Sequence, residues 1–472
     1  MEDLPGLEAL RAELKGEVLL PGDTPAFEGV CSDVWSVSPF REAPPARPAL
    51  VVQPRGTADV AAAVAYARTQ SLPLAVKCGG HGGGNPSWVA GGLLVDQGRF
   101  MRSVCVDPTA RTATVDGGAQ ARDVDAETAP HGLAVPLGVC ATVGVGGLAL
   151  NGGLSLLSRA HGAVCDNILA ATVVLADGSV AHVTKDSDPE LFWALRGAGT
   201  ALGVVTKLTL RVHDVSDAFC GSLVWADDAE HATYKAVLRW MRDAVLPNPS
   251  IGFNLTRALH PGMGPVLVAM VVVTGDGSHE DKAALLAPLR ALSPLADSRT
   301  HEPAILGLKA QFPVHYEAWV GGHLAADKVS DALVDHWIEL TADGLPPELG
   351  TTLAFFELMG GRMKDSDAPA GFTADVQWVV QAGWVDPGAH DIGKRFAAGL
   401  RQGLAPYCCP NSGYLNMLDV AEVTELPPER AAAMVRGARN LERLRAVKAR
   451  VDPTDMFRHT PLSRVLAAGV QP

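Results

Sequence analysis

Apolar residues recur along this chain in short bursts, with turn-forming residues between them. Ala49 to Val52 is an apolar run of strand type, and Thr57 can cap a helix that continues to about Gln70. Val60, Val64 and Ala67 lay one apolar stripe along that helix. A strand predicted at Leu74 to Lys77 empties into the loop Cys78-Gly-Gly-His-Gly-Gly-Gly-Asn85. Further strands are expected at Gly92 to Asp96, Thr112 to Asp116 and Gly203 to Arg211, with a polar helix near Gln120 to His131. Ile168 to Leu175 and Ser179 to Val183 flank Asp177-Gly178, a strong hairpin signal. Asp188-Pro189-Glu190 reads as a helix start with proline at the first helical position. Helix and strand thus alternate to about residue 212, which indicates an α+β unit. From 213 to about 418 the texture changes. Strand-like runs at Val266 to Val273, Thr352 to Phe356 and Val376 to Val380 are separated by alanine-rich helices, and most of the tryptophans fall here. Pro428 to Arg450 reads as one long helix whose stripe is Ala438, Leu441, Leu444, Val447 and Val451.

At 472 residues the chain is too long for one ordinary core, so two domains are expected. Lys and Arg number 39 against 52 Asp and Glu, a formal charge of −13. That balance argues against nucleic acid or an anionic membrane as the main partner, because both are bound by basic patches. Met1-Glu-Asp-Leu-Pro5 lacks the basic-then-apolar order of a secretory signal, and no apolar run approaches bilayer length. Eight cysteines show no paired spacing, and no C-x-x-C occurs. The expectation is a cytoplasmic protein with reduced thiols, Cys408-Cys409 included, and no metal site.

The chemistry concentrates in two glycine-rich stretches. Cys78 to Asn85 is one, and Gly138-Val-Cys-Ala-Thr-Val-Gly-Val-Gly-Gly-Leu-Ala-Leu-Asn-Gly-Gly153 is the other. Glycine lets backbone approach a flat or phosphorylated ligand, and successive N–H groups can cradle a diphosphate. Neither stretch is a Walker loop or a Gly-x-Gly-x-x-Gly opening a helix.

Read in order, these and other segments resemble the berberine-bridge-enzyme-like group of the vanillyl-alcohol-oxidase flavoprotein superfamily. The resemblance is carried by Pro54-Arg-Gly-Thr-Ala-Asp-Val60, Pro73-Leu-Ala-Val-Lys-Cys-Gly-Gly-His81 and Gly138 to Gly147, then by Leu156 to Arg159, Asp166 to Ile168, Asp188 to Gly197 and Gly203 to Thr206. Near the end Asn440 to Leu444, Val447-Lys448, Asp452-Pro453 and Phe457-Arg458 match the group's closing signature. The resemblance implies a two-domain, PCMH-type FAD-binding fold. Residues 1–212 and the C-terminal segment 419–472 would form the FAD-binding domain, and 213–418 an antiparallel-sheet substrate domain. It further implies covalent FAD, with His81 bonded to the flavin 8α-methyl and Cys140 to C6. The residues expected around the cofactor are Lys77, Gly79, Gly80, Gly82, Gly83, Thr142, Val143, Gly144, Gly146, Gly147, Asn151, Gly152, Val204 and Asn440. Val143 matches a position whose small side chain accompanies oxygen access in the group. The implied activity is an oxidase that takes a hydride from an alcohol, hemiacetal or amine carbon and returns it to O₂ as hydrogen peroxide.

The chain departs from the group at Tyr414-Leu-Asn-Met-Leu-Asp419, where the usual second tyrosine, a candidate base, is Met417. A thioether cannot serve as a base. Glu357 and Tyr414 are therefore the leading catalytic candidates, with His315 and Tyr316 as alternatives. Leu148, Leu441 and Ala201-Leu202 replace residues that are commonly histidine, tyrosine and Asn-Phe. These changes suggest a more apolar pocket, suited to a small or hydrophobic metabolite. The other readings left open are a dehydrogenase with a different electron acceptor and a flavin-bound cyclase, isomerase or binding module.

Overall fold

The structure, a computed structural model, describes residues 4–32, 47–82, 89–260, 262–300, 318–349, 351–384, 386–410, 412–417 and 427–468. Gly83, His315 and Tyr316 lie outside the described residues. Helices and mainly antiparallel sheets combine into an α+β fold.

Strands β1 (Glu17–Leu19), β2 (Leu50–Gln53), β3 (Leu74–Lys77) and β4 (Leu93–Asp96) form a four-stranded sheet in the order β1-β2-β4-β3. The last three run parallel. β2 and β4 are buried along their whole length, which is why they read as unbroken apolar runs. The helix Thr57–Thr69 covers this sheet with Val60, Val64 and Ala67. Thr57 does not cap it. Gly56 holds the capping position, and the Thr57 hydroxyl instead meets Thr206 Oγ1 at 2.9 Å, tying the helix to the next sheet.

That second sheet contains β5 (Val104–Asp107), β6 (Thr112–Asp116), β7 (Ile168–Val174), β8 (Val180–Thr184) and β9 (Val204–Arg211), ordered β5-β6-β9-β7-β8 and antiparallel throughout. Gly178, at φ 87°, turns the expected hairpin between β7 and β8. Pro189 sits in the first turn of the helix Pro189–Ala198, and the Asp188 carboxylate accepts from Leu191 N.

The third sheet is the scaffold for the site. Its strands are β10 (Phe219–Ala226), β11 (Ile251–His260), β12 (Gly264–Val273), β13 (Ala296–Thr300), β14 (Ala318–Leu324), β15 (Thr351–Leu358) and β16 (Val376–Gly383). They pair antiparallel in the order β13-β10-β12-β11-β15-β16-β14. One face buries Trp225, Phe253, Leu255, Phe356 and Trp378 against helices that carry Tyr234, Trp337 and Leu400. Trp337 Nε1 donates to the Tyr234 hydroxyl at 2.6 Å, whereas Trp225 Nε1 is buried without a partner among the described residues.

The segment Pro428 to Arg450 is not one helix. Two helices, Pro428–Met434 and Ala438–Val451, are separated by Arg436 at φ 61° and Gly437 at φ 113°. The apolar stripe runs through the break because both helices bury their faces in one core, which Leu441, Leu444, Val447 and Val451 share with the second sheet. Among the described residues, no helix is long and apolar enough to cross a membrane.

The third sheet lies directly on the chain that follows the second glycine stretch. A Cβ at Gly252 would stand 1.7 Å from the Leu156 carbonyl oxygen. Gly252→Ala should therefore lower the free energy of unfolding by about 1–3 kcal/mol, since backbone on both sides must shift. An unchanged midpoint in urea unfolding would refute a tight seam here.

Candidate functional site: a glycine cradle facing a polar sheet

The two glycine stretches meet backbone to backbone. A Cβ at Gly79 would stand 2.4 Å from Gly144 N and 2.6 Å from Thr142 O, and one at Gly144 would stand 2.4 Å from Gly79 N. Gly80, at φ 71°, turns the first loop just before His81. The result brings both expected attachment residues onto one hydroxyl. His81 Nε2 lies 2.9 Å from Thr142 Oγ1, and Cys140 Sγ lies 3.5 Å from the same atom.

A cavity of about 300 Å³ opens from this cradle toward the third sheet. Gly79, Gly80, His81, Gly82, Cys140, Val143, Gly144, Gly146, Gly147, Asn151 and Val204 line it. Lys77, Gly152 and Asn440 are placed elsewhere. Lys77 is buried 3.9 Å from Asp96, a Cβ at Gly152 would meet Phe372, and Asn440 donates to Val435 O. Thr142 contacts His81 and Cys140 but is not among the residues that line the cavity.

The far wall follows from strand alternation. With Phe356 committed to the aromatic core, Leu353, Phe355 and Glu357 turn to the cavity. Register then places Asn254 of β11 and Gln377 of β16 directly beside Glu357, and Gln381 beside Leu353. Glu357 is only 7% exposed. Among the described residues no group donates a hydrogen bond to its carboxyl. Burial alone pushes its pKa up to about 7. Beyond Gln377 stands His323, whose pKa burial lowers to about 4 and whose Nε2 has no hydrogen-bond partner among the described residues.

Tyr414 enters from the loop after the sheet and is also buried. Its hydroxyl is 3.1 Å from Asn416 Nδ2, and burial raises its pKa. Asn416 Oδ1 accepts from Asn151 Nδ2 at 2.9 Å, and Asn151 Oδ1 accepts from Thr200 at 2.9 Å. This chain joins the helix Val145–Leu150, within the second glycine stretch, to the loop that carries Tyr414. Sequence reasoning missed Asn416, Asn254 and Gln381 as site residues. Asn416 lay inside a segment already singled out, whereas the other two emerge only from sheet register.

The residues present fit a flavin nucleotide. At Gly147, which lines the cavity, a Cβ would stand in open space, so the missing side chain leaves room for a ligand against the backbone. Gln97, which lines the cavity, gives its amide nitrogen to Val205 O and leaves Oε1 buried without a partner among the described residues, as an N–H- or hydroxyl-bearing ligand requires. Among the described residues no cluster of His, Cys, Asp and Glu could hold a metal ion.

Residues 48–184 match the family model described as FAD binding domain, and residues 414–461 match the one described as berberine and berberine like. The chain thus carries two segments that match FAD-linked oxidoreductases of the berberine-bridge-enzyme-like kind. Among curated proteins it is similar to (R)-6-hydroxynicotine oxidase of Paenarthrobacter nicotinovorans, 34% identical over 254 residues, covering 52% of this chain and 53% of that relative. Over such matches the chain spans about half the length of the curated relatives. Glucooligosaccharide oxidase of Sarocladium strictum is 26% identical over 449 residues, covering 87% of this chain and 86% of the relative. The crystal structure of 6-hydroxy-D-nicotine oxidase from Arthrobacter nicotinovorans superposes with a TM-score of 0.80 at 26% identity, covering 95% of this chain and 97% of that one.

Glu357 carries a thermodynamic signature. Its folded pKa lies above the ordinary carboxylate value, so between about pH 4.5 and 7 the folded chain keeps a proton that the unfolded chain has lost. Stability is therefore lost as pH rises through that window. Glu357→Gln should be more stable than the parent by about 1–3 kcal/mol at pH 8 and indistinguishable from it at pH 4. Denaturant titrations at the two pH values check this, and an equal difference at both would sink the assignment of a buried, unpaired carboxyl.

Proposed function

We propose that this protein is an oxidase that holds FAD covalently through His81 and Cys140. It would remove a hydride from an alcohol, hemiacetal or amine carbon of a small metabolite, with Glu357 accepting the accompanying proton. The observation that carries this reading is the unpartnered, buried Glu357 carboxyl facing the glycine cradle across one cavity.

Bound FAD would supply the two-electron chemistry, taking the hydride and passing both electrons to O₂ to give hydrogen peroxide. What remains for the protein is position and proton handling. His81 and Cys140 converge on Thr142 Oγ1. That arrangement suits two attachment points on one ring, because the benzenoid ring of a flavin contains C6 and carries the 8α-methyl. The Thr142 hydroxyl would orient both side chains. Val143, small and lining the cavity, would leave room for O₂.

Glu357 suits the task of base. A carboxyl with a pKa near 7 is half ionised at neutral pH, where a base balances availability against proton affinity. Tyr414 is a poor base because its pKa is raised. Leu353, Phe355 and Met270 give the wall apolar area, while Asn254, Thr256 and Gln381 supply a few polar contacts. That mixture favours a compact, largely apolar substrate over a polar chain of sugars. Two similar proteins are named for oxidising 6-hydroxynicotine and glucooligosaccharides.

Acid precipitation followed by a visible spectrum of the pellet tests the cofactor linkage. The parent pellet should stay yellow, with flavin mass on the peptides bearing His81 and Cys140. His81→Ala and Cys140→Ala should each keep colour through the remaining bond, and the double variant should lose it. A colourless parent pellet with unmodified peptides would end the covalent reading.

Anaerobic flavin reduction by a panel of amines and alcohols tests the base. The rate should rise with pH through about 7 as Glu357 ionises. Glu357→Gln should slow reduction by roughly 10²–10⁴-fold and remove that pH dependence. A variant that keeps both rate and profile would leave the base unassigned to Glu357.

A further inference from the structure

The direction of one hydrogen-bond chain is fixed by its carbonyl neighbour. The Leu148 carbonyl can only accept, so the Asn416 atom 3.4 Å from it is the amide nitrogen. Asn151 agrees with that orientation, since its Nδ2 donates to Asn416 Oδ1 at 2.9 Å while its Oδ1 accepts from the Thr200 hydroxyl at 2.9 Å. The Asn416 nitrogen also lies 3.1 Å from the Tyr414 hydroxyl. The Tyr414 oxygen is therefore an acceptor in this chain, and its own proton is left to point elsewhere.

Among the described residues the hydroxyl has no protein acceptor. Tyr414 is 5% exposed, its ring packs 5.0 Å from Phe372, and it lines the same cavity as Glu357. A buried O–H with its oxygen already engaged and its proton unclaimed is a donor awaiting a ligand. Burial, with the Glu357 charge nearby, also keeps the phenol protonated.

We propose that Tyr414 is a substrate-recognition residue, held as an obligate hydrogen-bond donor by Asn416 and directed at an acceptor atom of the substrate. This rests on the proposed function, in which Glu357 takes the proton of the oxidised group. Together the two residues define the substrate class. It is a small, largely apolar molecule that carries an acceptor (a carbonyl, an ether or an aromatic nitrogen) in addition to the amine or hydroxyl beside the oxidised carbon.

The test uses the flavin-loaded protein without oxygen. Benzylamine and benzyl alcohol are titrated against their ring-aza isosteres, which add one acceptor at unchanged shape, and binding is followed by calorimetry. At least one isostere should bind about tenfold tighter than its parent. Tyr414→Phe should abolish that preference. Asn416→Asp should abolish it too, because a carboxylate would take the tyrosine proton for itself. In both variants the pH dependence of flavin reduction should remain that set by Glu357.

Equal binding of all probes, or binding of none, overturns the proposal, as does an equal loss for aza and parent probes in Tyr414→Phe. A shifted visible spectrum of ligand-free Tyr414→Phe also overturns it, since the hydroxyl would then be engaged with the flavin. Absence of flavin, or a pH profile indifferent to Glu357→Gln, would instead mark failure of the proposed function itself.

Discussion

The close approach of Gly79 to Gly144 is the constraint on which the site depends. With a nitrogen of the partner loop 2.4 Å from where a Cβ would be, no side chain fits at either position without backbone movement. The contact decides more than local packing. It fixes the end of β3 against the start of the helix Val145–Leu150, and so brings His81 and Cys140, 59 positions apart in the numbering, onto the single hydroxyl of Thr142. Sequence-distant residues are costly to hold together. Here the cost falls on backbone already ordered by two sheets and their helices, not on the reactive side chains.

The opposite wall obeys a different rule, the period of two in a strand. The aromatic core beneath the third sheet takes Phe356, Trp378 and Phe253, and this choice alone delivers Glu357, Gln377 and Asn254 to the cavity face. A one-residue slip of β15 would exchange the carboxyl for a phenylalanine or leucine. The same packing that stabilises the sheet therefore specifies the chemistry on its other side. Glu357 is the unfavourable element of that arrangement, since a buried carboxyl without a donor is destabilising when ionised. Its position beside Asn254 and Gln377 on the wall of the cavity fits a role in which a ligand completes its environment.

Much of the first two sheets was legible because their signals are local. The apolar run of β4, the turn at Asp177-Gly178 and the Pro189 helix start each depend on neighbours in sequence. The glycine stretches announced a ligand site for the same reason. What the sequence concealed were decisions made by tertiary contacts. Thr57 was free to cap its helix until Thr206 supplied another partner for its hydroxyl. Pro428 to Arg450 kept helical periodicity across Gly437 because both helices face one core, and a period carries no information about a break at positive φ. Asn254 and Gln381 are ordinary polar strand residues until register sets them beside Glu357 and Leu353. Lys77 sat in the motif that marks the loop, yet the fold turns it toward Asp96.

The cradle and the polar wall belong to different sheets, and a reaction between them requires their separation to be held closely. Misplacement by about 1 Å can cost a hundredfold in rate. Two features hold that separation. Gly252 allows the third sheet to lie directly on Leu156, where any side chain would wedge the two apart. The bonds from Thr200 through Asn151 to Asn416 then pin the loop bearing Tyr414 to the helix that follows the cradle. The first is a steric stop and the second a directional tether. Neither alone suffices, because a stop leaves the sheet free to slide and a tether leaves it free to tilt. Acting together they make the geometry around Glu357 a property of the whole fold rather than of the cavity, so substitutions at residues that touch no ligand can be expected to act on the chemistry.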